Sequence, residues 1–191
     1  MKGYIEVYTG DGKGKTTAAI GLAVRAVGAG KKVCFIQFMK SLAYSEQKIL
    51  QGLPGLTLIT LGKPYFIAKE GMLSEEEIKA WGSALRVYPA GHPPKEYRDM
   101  VLKGIEDAVE AVSKGYDLVV LDEYNMAYWY DLATEEDTKR ILAARNPDCE
   151  LVFTGRNAPK IILDAADLIT EMKKIRHYYD EGVECRKGIE N

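Results

Sequence analysis

A short apolar run, Ile5 to Tyr8, leads straight into TGDGKGKTT at Thr9 to Thr17, and helical spacing takes over immediately afterwards. That order of strand, glycine loop and helix constrains the chain more than any other feature. In the pattern G-x-x-x-x-G-K-[ST], glycines let successive backbone N–H groups turn towards one anion. The lysine then reaches the outer phosphates and the hydroxyl binds magnesium. Gly14, Lys15 and Thr16 fill the last three places, while Thr9 stands in the first instead of glycine, with Gly10 and Gly12 supplying flexibility. The other reading, an ordinary glycine turn before a helix, is disfavoured by the lysine, the hydroxyl and the strand context together.

Beyond the loop, β-rich apolar runs alternate with helical periodicity, as βα units around a mostly parallel sheet require. Ile20, Ala23, Val24 and Val27 recur at helical spacing until Gly28 and Gly30. Strands are predicted at Val33 to Phe38, Leu56 to Leu61, Leu118 to Leu121, Leu151 to Thr154 and Leu168 to Met172. Ser74-Glu75-Glu76-Glu77 is a capping box, with Leu73 and Ile78 as its hydrophobic staple, and the AGHPP segment is expected to end that helix. Val101, Leu102, Ile105, Ala108, Val109 and Val112 line one face of a long helix closed by Gly115; further helices are expected from Thr134 and near Pro159 to Ala166. The fold class is α/β, a P-loop NTPase-like, RecA-like, mostly parallel sheet with helices on both faces.

A chain of 191 residues, 47% of them hydrophobic, suffices for one sizeable core, so a single domain spanning 1–191 is expected. The formal net charge of −2 offers no bulk attraction to nucleic acid or an acidic membrane, so anion binding must be local. The start, MKGYIEVYTGDGK, has no stretch of signal-peptide length, and no run approaches the ~18 apolar residues of a membrane span. A cytoplasmic location is expected. Cys34, Cys149 and Cys185 are far apart with no C-x-x-C pair, which reads as reduced thiols, at least two in core positions.

The strand ending at Leu121 runs into Asp122-Glu123, the arrangement of a Walker B strand, where an acid holds magnesium directly or through water. In an isolated pair Asp122 would merely cap a loop and Glu123 would be solvated; the phosphate loop upstream favours the metal.

TGDGKGKTTAA, QFMK after the second strand, VVLDE followed by YDL, FTGR after a later strand and the ending GVECRKGIE together resemble the ATP:corrinoid adenosyltransferases of the P-loop type. The matches stand in order almost to the C-terminus, and Thr9 in the first motif place agrees with the family variant. The resemblance implies transfer of the 5′-deoxyadenosyl group of ATP to the cobalt of a reduced cob(I) corrinoid, with release of triphosphate, in adenosylcobalamin biosynthesis or salvage. Cobalt is then the nucleophile, and the protein positions, stabilises the leaving group and excludes water. In the family the ATP lies reversed across the loop. The resemblance further implies magnesium or manganese, a homodimer and a reducing flavoprotein.

Carried over by position, Thr9, Gly10, Asp11, Gly12, Lys13, Gly14, Lys15, Thr16 and Thr17 form the triphosphate cradle, with Lys15 the main charge partner of the departing chain. Thr16 and Glu123 are expected as magnesium ligands, with Asp122 direct or one shell out, and Arg156 of the TGR match near the phosphates or ribose. Its other reading is a surface arginine beginning the next helix. Tyr124, Tyr128, Trp129 and Tyr130 make an aromatic cluster that either floors a corrin ring, Tyr124 and Tyr128 foremost, or packs in the core. His92 and His177 read as loop or surface residues rather than cobalt ligands.

From Leu42 to about Met100 the resemblance weakens, and 62–97 is expected to be a variable acceptor-site loop. Where the family has Phe and Trp flanking a threonine, thought to displace the corrinoid's lower ligand, this chain reads GKPYFIAKEG. Tyr65 and Phe66 are expected to take part of that role, while Ile67 stands near the place of the tryptophan. The chain also begins directly at the first strand, without the N-terminal segment by which some members cover the corrinoid. The alternatives are a P-loop kinase or ATPase that releases ADP and a non-enzymatic ATP-sensing module, since a phosphate loop does not by itself choose the chemistry.

Overall fold

The computed structural model describes residues 2–41 and 44–190; Leu42 and Ala43, where the resemblance begins to weaken, lie outside the described residues, as do Met1 and Asn191. In chain order the elements are β1 (Ile5–Thr9), α1 (Lys15–Gly28), β2 (Val33–Phe38), α2 (Ser45–Gly52), β3 (Leu56–Leu61), β4 (Phe66–Lys69) and α3 (Glu75–Trp81). There follow β5 (Leu85–Tyr88), α4 (Lys95–Ser113), β6 (Leu118–Asp122), α5 (Tyr124–Trp129), α6 (Glu135–Ala144), β7 (Glu150–Thr154), α7 (Lys160–Ala165) and β8 (Leu168–Glu171). Six strands form one sheet in the order β3-β2-β6-β7-β1-β8, with every neighbouring pair parallel. β7 is thus inserted between the strand that feeds the phosphate loop and the strand that ends in Asp122.

Alternation along the strands loads both faces of this sheet, which is why the central strands read as unbroken apolar runs. Val33, Phe35, Leu118, Val120 and Val152 pack on one face against Ala19, Ala23 and Ala26 of α1. Cys34, Ile36, Phe38, Val119, Leu121, Leu151 and Phe153 pack on the other with Val101, Ile105, Ala108 and Val112 of α4, Ile141 of α6 and Ile162 of α7. The α4 face is the one expected from spacing. In α1 the expected face is rotated: Val24 is exposed, and the alanines touch the sheet because small side chains let the helix lie close to it. Cys34 and Cys149 are buried free thiols, pushed by burial up to about 12 and about 11, and Cys185 is exposed. No helix among the described residues is long and apolar enough to cross a membrane.

The stretch expected to be an acceptor-site loop carries its own secondary structure. β4 and β5 pair in parallel, and α3 crosses between them, with the Ser74–Glu77 capping box in place. The helix stops at Trp81, followed by Gly82 at φ 52°, well before the AGHPP segment that spacing made its terminus. β5 fills the interval. Sequence also gave no sign of α2, and α5 starts at Tyr124 with only Glu123 between it and the end of β6.

This unit is joined to the sheet through a close backbone approach. A Cβ on Gly62, just past β3, would lie 2.1 Å from the Lys40 carbonyl carbon and 2.2 Å from the Ser41 nitrogen. Gly62→Ala must therefore push apart the turns that leave β2 and β3, and it is expected to destabilise the fold by about 1–3 kcal/mol in urea denaturation. An unchanged unfolding midpoint would contradict this packing.

Candidate active site

All six strands of the larger sheet end on one side, and the segments leaving β1, β2, β6 and β7 meet there, at the crevice that parallel sheets form beyond their carboxyl ends. Thr9 is the last residue of β1, in register with Glu171 of β8, and it is not among the non-glycine residues with positive φ. A residue in strand geometry has no need to be glycine, which explains the threonine in the first motif place. Left-handed backbone follows at Gly10 (φ 94°) and Gly14 (φ 125°). A Cβ at Gly10 or Gly12 would stand 2.5 Å or 2.7 Å from the Met172 carbonyl oxygen, the same oxygen to which Gly12 N–H donates at 2.6 Å. These glycines therefore serve the segment after β8 as well as any phosphate.

Lys15 Nζ donates to the carbonyl oxygens of Gly10 at 2.7 Å and Gly12 at 2.8 Å, closing the loop on itself. Burial holds its ammonium below the ordinary lysine value, against the opposing pull of Glu123. Lys13 points elsewhere: its Nζ donates to Tyr178 Oη at 3.0 Å and Glu190 Oε1 at 3.2 Å. Arg186 also pairs with Glu190, so the end of the chain, including the GIE stretch, is held against the phosphate loop. Asp11 and Thr17 are exposed on the loop and the first turn of α1.

Asp122 is fully buried at the end of β6 and accepts four hydrogen bonds. Thr16 Oγ1 at 2.9 Å and Thr154 Oγ1 at 2.7 Å donate to Oδ1; Lys40 Nζ at 2.9 Å and Gln37 Nε2 at 3.3 Å donate to Oδ2. Glu123 adopts φ 60°, a left-handed conformation uncommon outside glycine, and its N–H donates to Thr154 Oγ1 at 3.0 Å. The turn directs Glu123 to the crevice, and burial together with Asp122 raises its carboxyl above the ordinary range. Gly155 (φ 125°) makes room for it, since a Cβ there would approach Glu123 Oε2 to 3.3 Å; Asn125 Nδ2 fixes the same turn by donating to Gly155 O at 2.9 Å. Among the described residues no group of three or more His, Cys, Asp and Glu side chains is arranged to hold a metal. The Thr16 hydroxyl and two carboxylates are nevertheless hard oxygen donors of the kind that bind magnesium when phosphates complete the shell.

The crevice itself measures about 450 Å³, with Glu123, Arg156, Tyr65, Phe66, Tyr97 and Tyr130 among its lining residues. Arg156, exposed after β7, is within electrostatic reach of both Lys15 and Glu123. Tyr65 Oη donates to Glu96 Oε1 at 2.9 Å, and the Arg86 guanidinium lies 4.0 Å from the Tyr65 ring centroid. Ile67 is buried, and no tryptophan stands beside it in sequence. Trp81, brought round by α3, instead meets Phe66 with ring centroids 4.8 Å apart.

The aromatic cluster divides. Tyr124 is core: it is fully buried between Phe38 and Phe153 and hydrogen-bonded to Thr138, with no surface for a ligand, because α5 starts directly at the buried end of β6. Tyr128 is half-buried against that core and is not part of the crevice lining. Met126 and Tyr130 face the crevice in their place. His92 is exposed, and His177 Nδ1 accepts from Tyr179 N–H as a helix cap. Lys40, Thr154 and Gln37 had no assigned role, although QFMK and FTGR were both visible as segments at strand ends.

A family model described as ATP:corrinoid adenosyltransferase BtuR/CobO/CobP matches residues 1–191. The chain is 32% identical over 189 residues to the corrinoid adenosyltransferase CobA of Salmonella typhimurium, covering 99% of this chain and 86% of that one. It is 31% identical over 189 residues to the corrinoid adenosyltransferase of Escherichia coli strain K12, with the same coverage of 99% and 86%. It is 32% identical over 194 residues to the corrinoid adenosyltransferase of a Sinorhizobium species, covering 99% and 80%. Among solved structures, the RadB recombinase superposes with a TM-score of 0.46 at 13% identity, covering 92% of this chain and 77% of that one.

Thr154→Val keeps the shape of the side chain but removes a donor from Asp122 and an acceptor from Glu123 N–H. Asp122 is fully buried and the Glu123 N–H partly so, and a loss of about 1–3 kcal/mol in chemical denaturation is expected. Unchanged stability would mean that the Asp122 network does not depend on this hydroxyl.

Proposed function

The chain belongs to the ATP:corrinoid adenosyltransferase family, and from that premise we propose that it transfers the 5′-deoxyadenosyl group of ATP to the cobalt of a reduced corrinoid. One observation carries the reading at residue level: Glu123 and Arg156 border the acceptor crevice while lying within electrostatic reach of Lys15 in the phosphate loop. Triphosphate and acceptor then meet across a single wall. Cobalt(I), as substrate, attacks C5′; the carbon–oxygen bond to the triphosphate breaks, the cobalt–carbon bond forms, and the metal is formally oxidised to cobalt(III).

The work left to the protein is positioning and charge. The N–H groups from Gly10 to Thr17 cradle the triphosphate at the N-terminus of α1. Lys15 leaves the loop carbonyls it now holds and neutralises the charge that grows on the departing chain, with Arg156 beside it. Magnesium would be held by Thr16 with Asp122 and Glu123 and would supply further positive charge to the phosphates. The turn at 62–65 and the small sheet of β4 and β5 form the acceptor side, where Tyr65 and Phe66 contact the corrinoid and limit the access of water. ATP reversed across the loop would present C5′ to this side. The enzyme is further read as a cytoplasmic homodimer of one domain per chain, supplied with cobalt(I) by a flavoprotein reductant.

Two outcomes test this. With ATP, magnesium and chemically reduced cobalamin or cobinamide under anaerobic conditions, triphosphate and an adenosyl-cobalt spectrum are expected, whereas ADP as the nucleotide product would overturn the reading. Lys15→Ala is expected to lower turnover by ~10²-fold or more. Near wild-type triphosphate release by that variant would remove Lys15 from the transition state.

A further inference from the structure

Lys40 lies in the turn after β2, its side chain only 12% exposed, and its ammonium sits between Thr16 Oγ1 at 3.2 Å and Asp122 Oδ2 at 2.9 Å. Those are two of the oxygen donors that the preceding reading assigns to magnesium. A fully buried carboxylate without a counter-charge is strongly unfavourable, and Lys40 Nζ is the one cationic group that hydrogen-bonds to Asp122 among the described residues. The ammonium therefore stands where a metal cation would otherwise sit.

A second resting place lies within reach of the same side chain. The Tyr44 ring centroid is 5.2 Å from Lys40 Nζ and Glu46 Oε1 is 4.0 Å away, and both Lys40 and Tyr44 line the crevice. An ammonium displaced from Asp122 can move towards an aromatic face and a carboxylate without being stranded in apolar surroundings. We propose that Lys40 is a resident counter-ion that occupies the cation place between Thr16 and Asp122 until magnesium arrives with the nucleotide, and then withdraws towards Tyr44 and Glu46. Free divalent metal must displace a bound ammonium with no phosphates to complete its shell, so it binds weakly. Metal carried by ATP brings its own phosphate ligands, and Lys40 thereby couples metal entry to nucleotide entry. This rests on Thr16 and Asp122 being the metal site.

The experiment is a titration of Mn²⁺ into nucleotide-free wild type, Lys40→Met and Lys40→Gln, with protein-bound metal followed by electron paramagnetic resonance and each titration repeated with ATP. Both variants are expected to bind free Mn²⁺ at least about tenfold more tightly than wild type, with the gap narrowing when ATP is present. Lys40→Arg is expected to restore weak binding of the free ion. The glutamine variant, one atom shorter than lysine, keeps a polar end should the methionine variant fail to fold. Equal affinity for free Mn²⁺ in wild type and variants, with ATP-dependent binding intact, overturns the role of Lys40. No protein-bound Mn²⁺ in any of them, even with ATP, overturns the underlying assignment of Thr16 and Asp122.

Discussion

A carboxylate without access to solvent sits at the end of β6, and much of the architecture around the crevice follows from keeping it satisfied. Removing an ion from water costs several kcal/mol even after relaxation, so its partners must be held in place. For Asp122 they come from separate parts of the chain: Thr16 from α1, Gln37 and Lys40 from β2 and the turn beyond it, and Thr154 from β7. The register of β2 on β6 sets Gln37 directly beside Asp122. Gln47 of α2 donates to Gln37 Oε1 at 2.9 Å, which extends the network to the helix that also buries Leu50.

The same network decides what the crevice presents. Thr154 receives Glu123 N–H while donating to Asp122, so the left-handed turn at Glu123 is braced from the neighbouring strand. That turn sends one acid inward and the next outward, giving adjacent residues different environments and different tasks. Gly155 leaves space for the outward acid, and Arg156 follows it to the crevice wall. A ligand held by the phosphate loop and one held by β4, β5 and the preceding turn would thus face each other across a turn whose backbone is already fixed by hydrogen bonds to Thr154 and Asn125. Such preorganisation suits a reaction whose nucleophile belongs to the acceptor.

Much of this was legible beforehand because it depends on local order. Strand, glycine loop and helix are contiguous, so TGDGKGKTT announces its own setting. Unbroken apolar runs marked the central strands, and helical periodicity marked α4, for the same reason. The capping box at Ser74 formed, and the helix expected from Thr134 is capped there. Readings that were missed or left open fall where local signals compete. In α1, spacing pointed to a face including Val24, but the sheet selected the alanines. At Tyr124 and Tyr128, aromatic chemistry suited a flat ligand and a core equally well. The choice depended on α5 starting with only Glu123 between it and β6, so that its first side chain turns back over the sheet.

The sequence by itself determined the phosphate loop, the acid pair at a strand end, the parallel α/β class and the family, because each is written in residues close together or in a fixed linear order. Tertiary structure alone decided what those residues meet. Lys40 reaches Thr16 and Asp122 across 24 and 82 positions of sequence, Glu190 reaches Lys13 across 177, and Trp81 comes round to Phe66 by way of a helix. Contacts of that range depend on strand order and on how closely helices and turns approach the sheet. Those are set by the packing of the whole core, so no short stretch of sequence reports them.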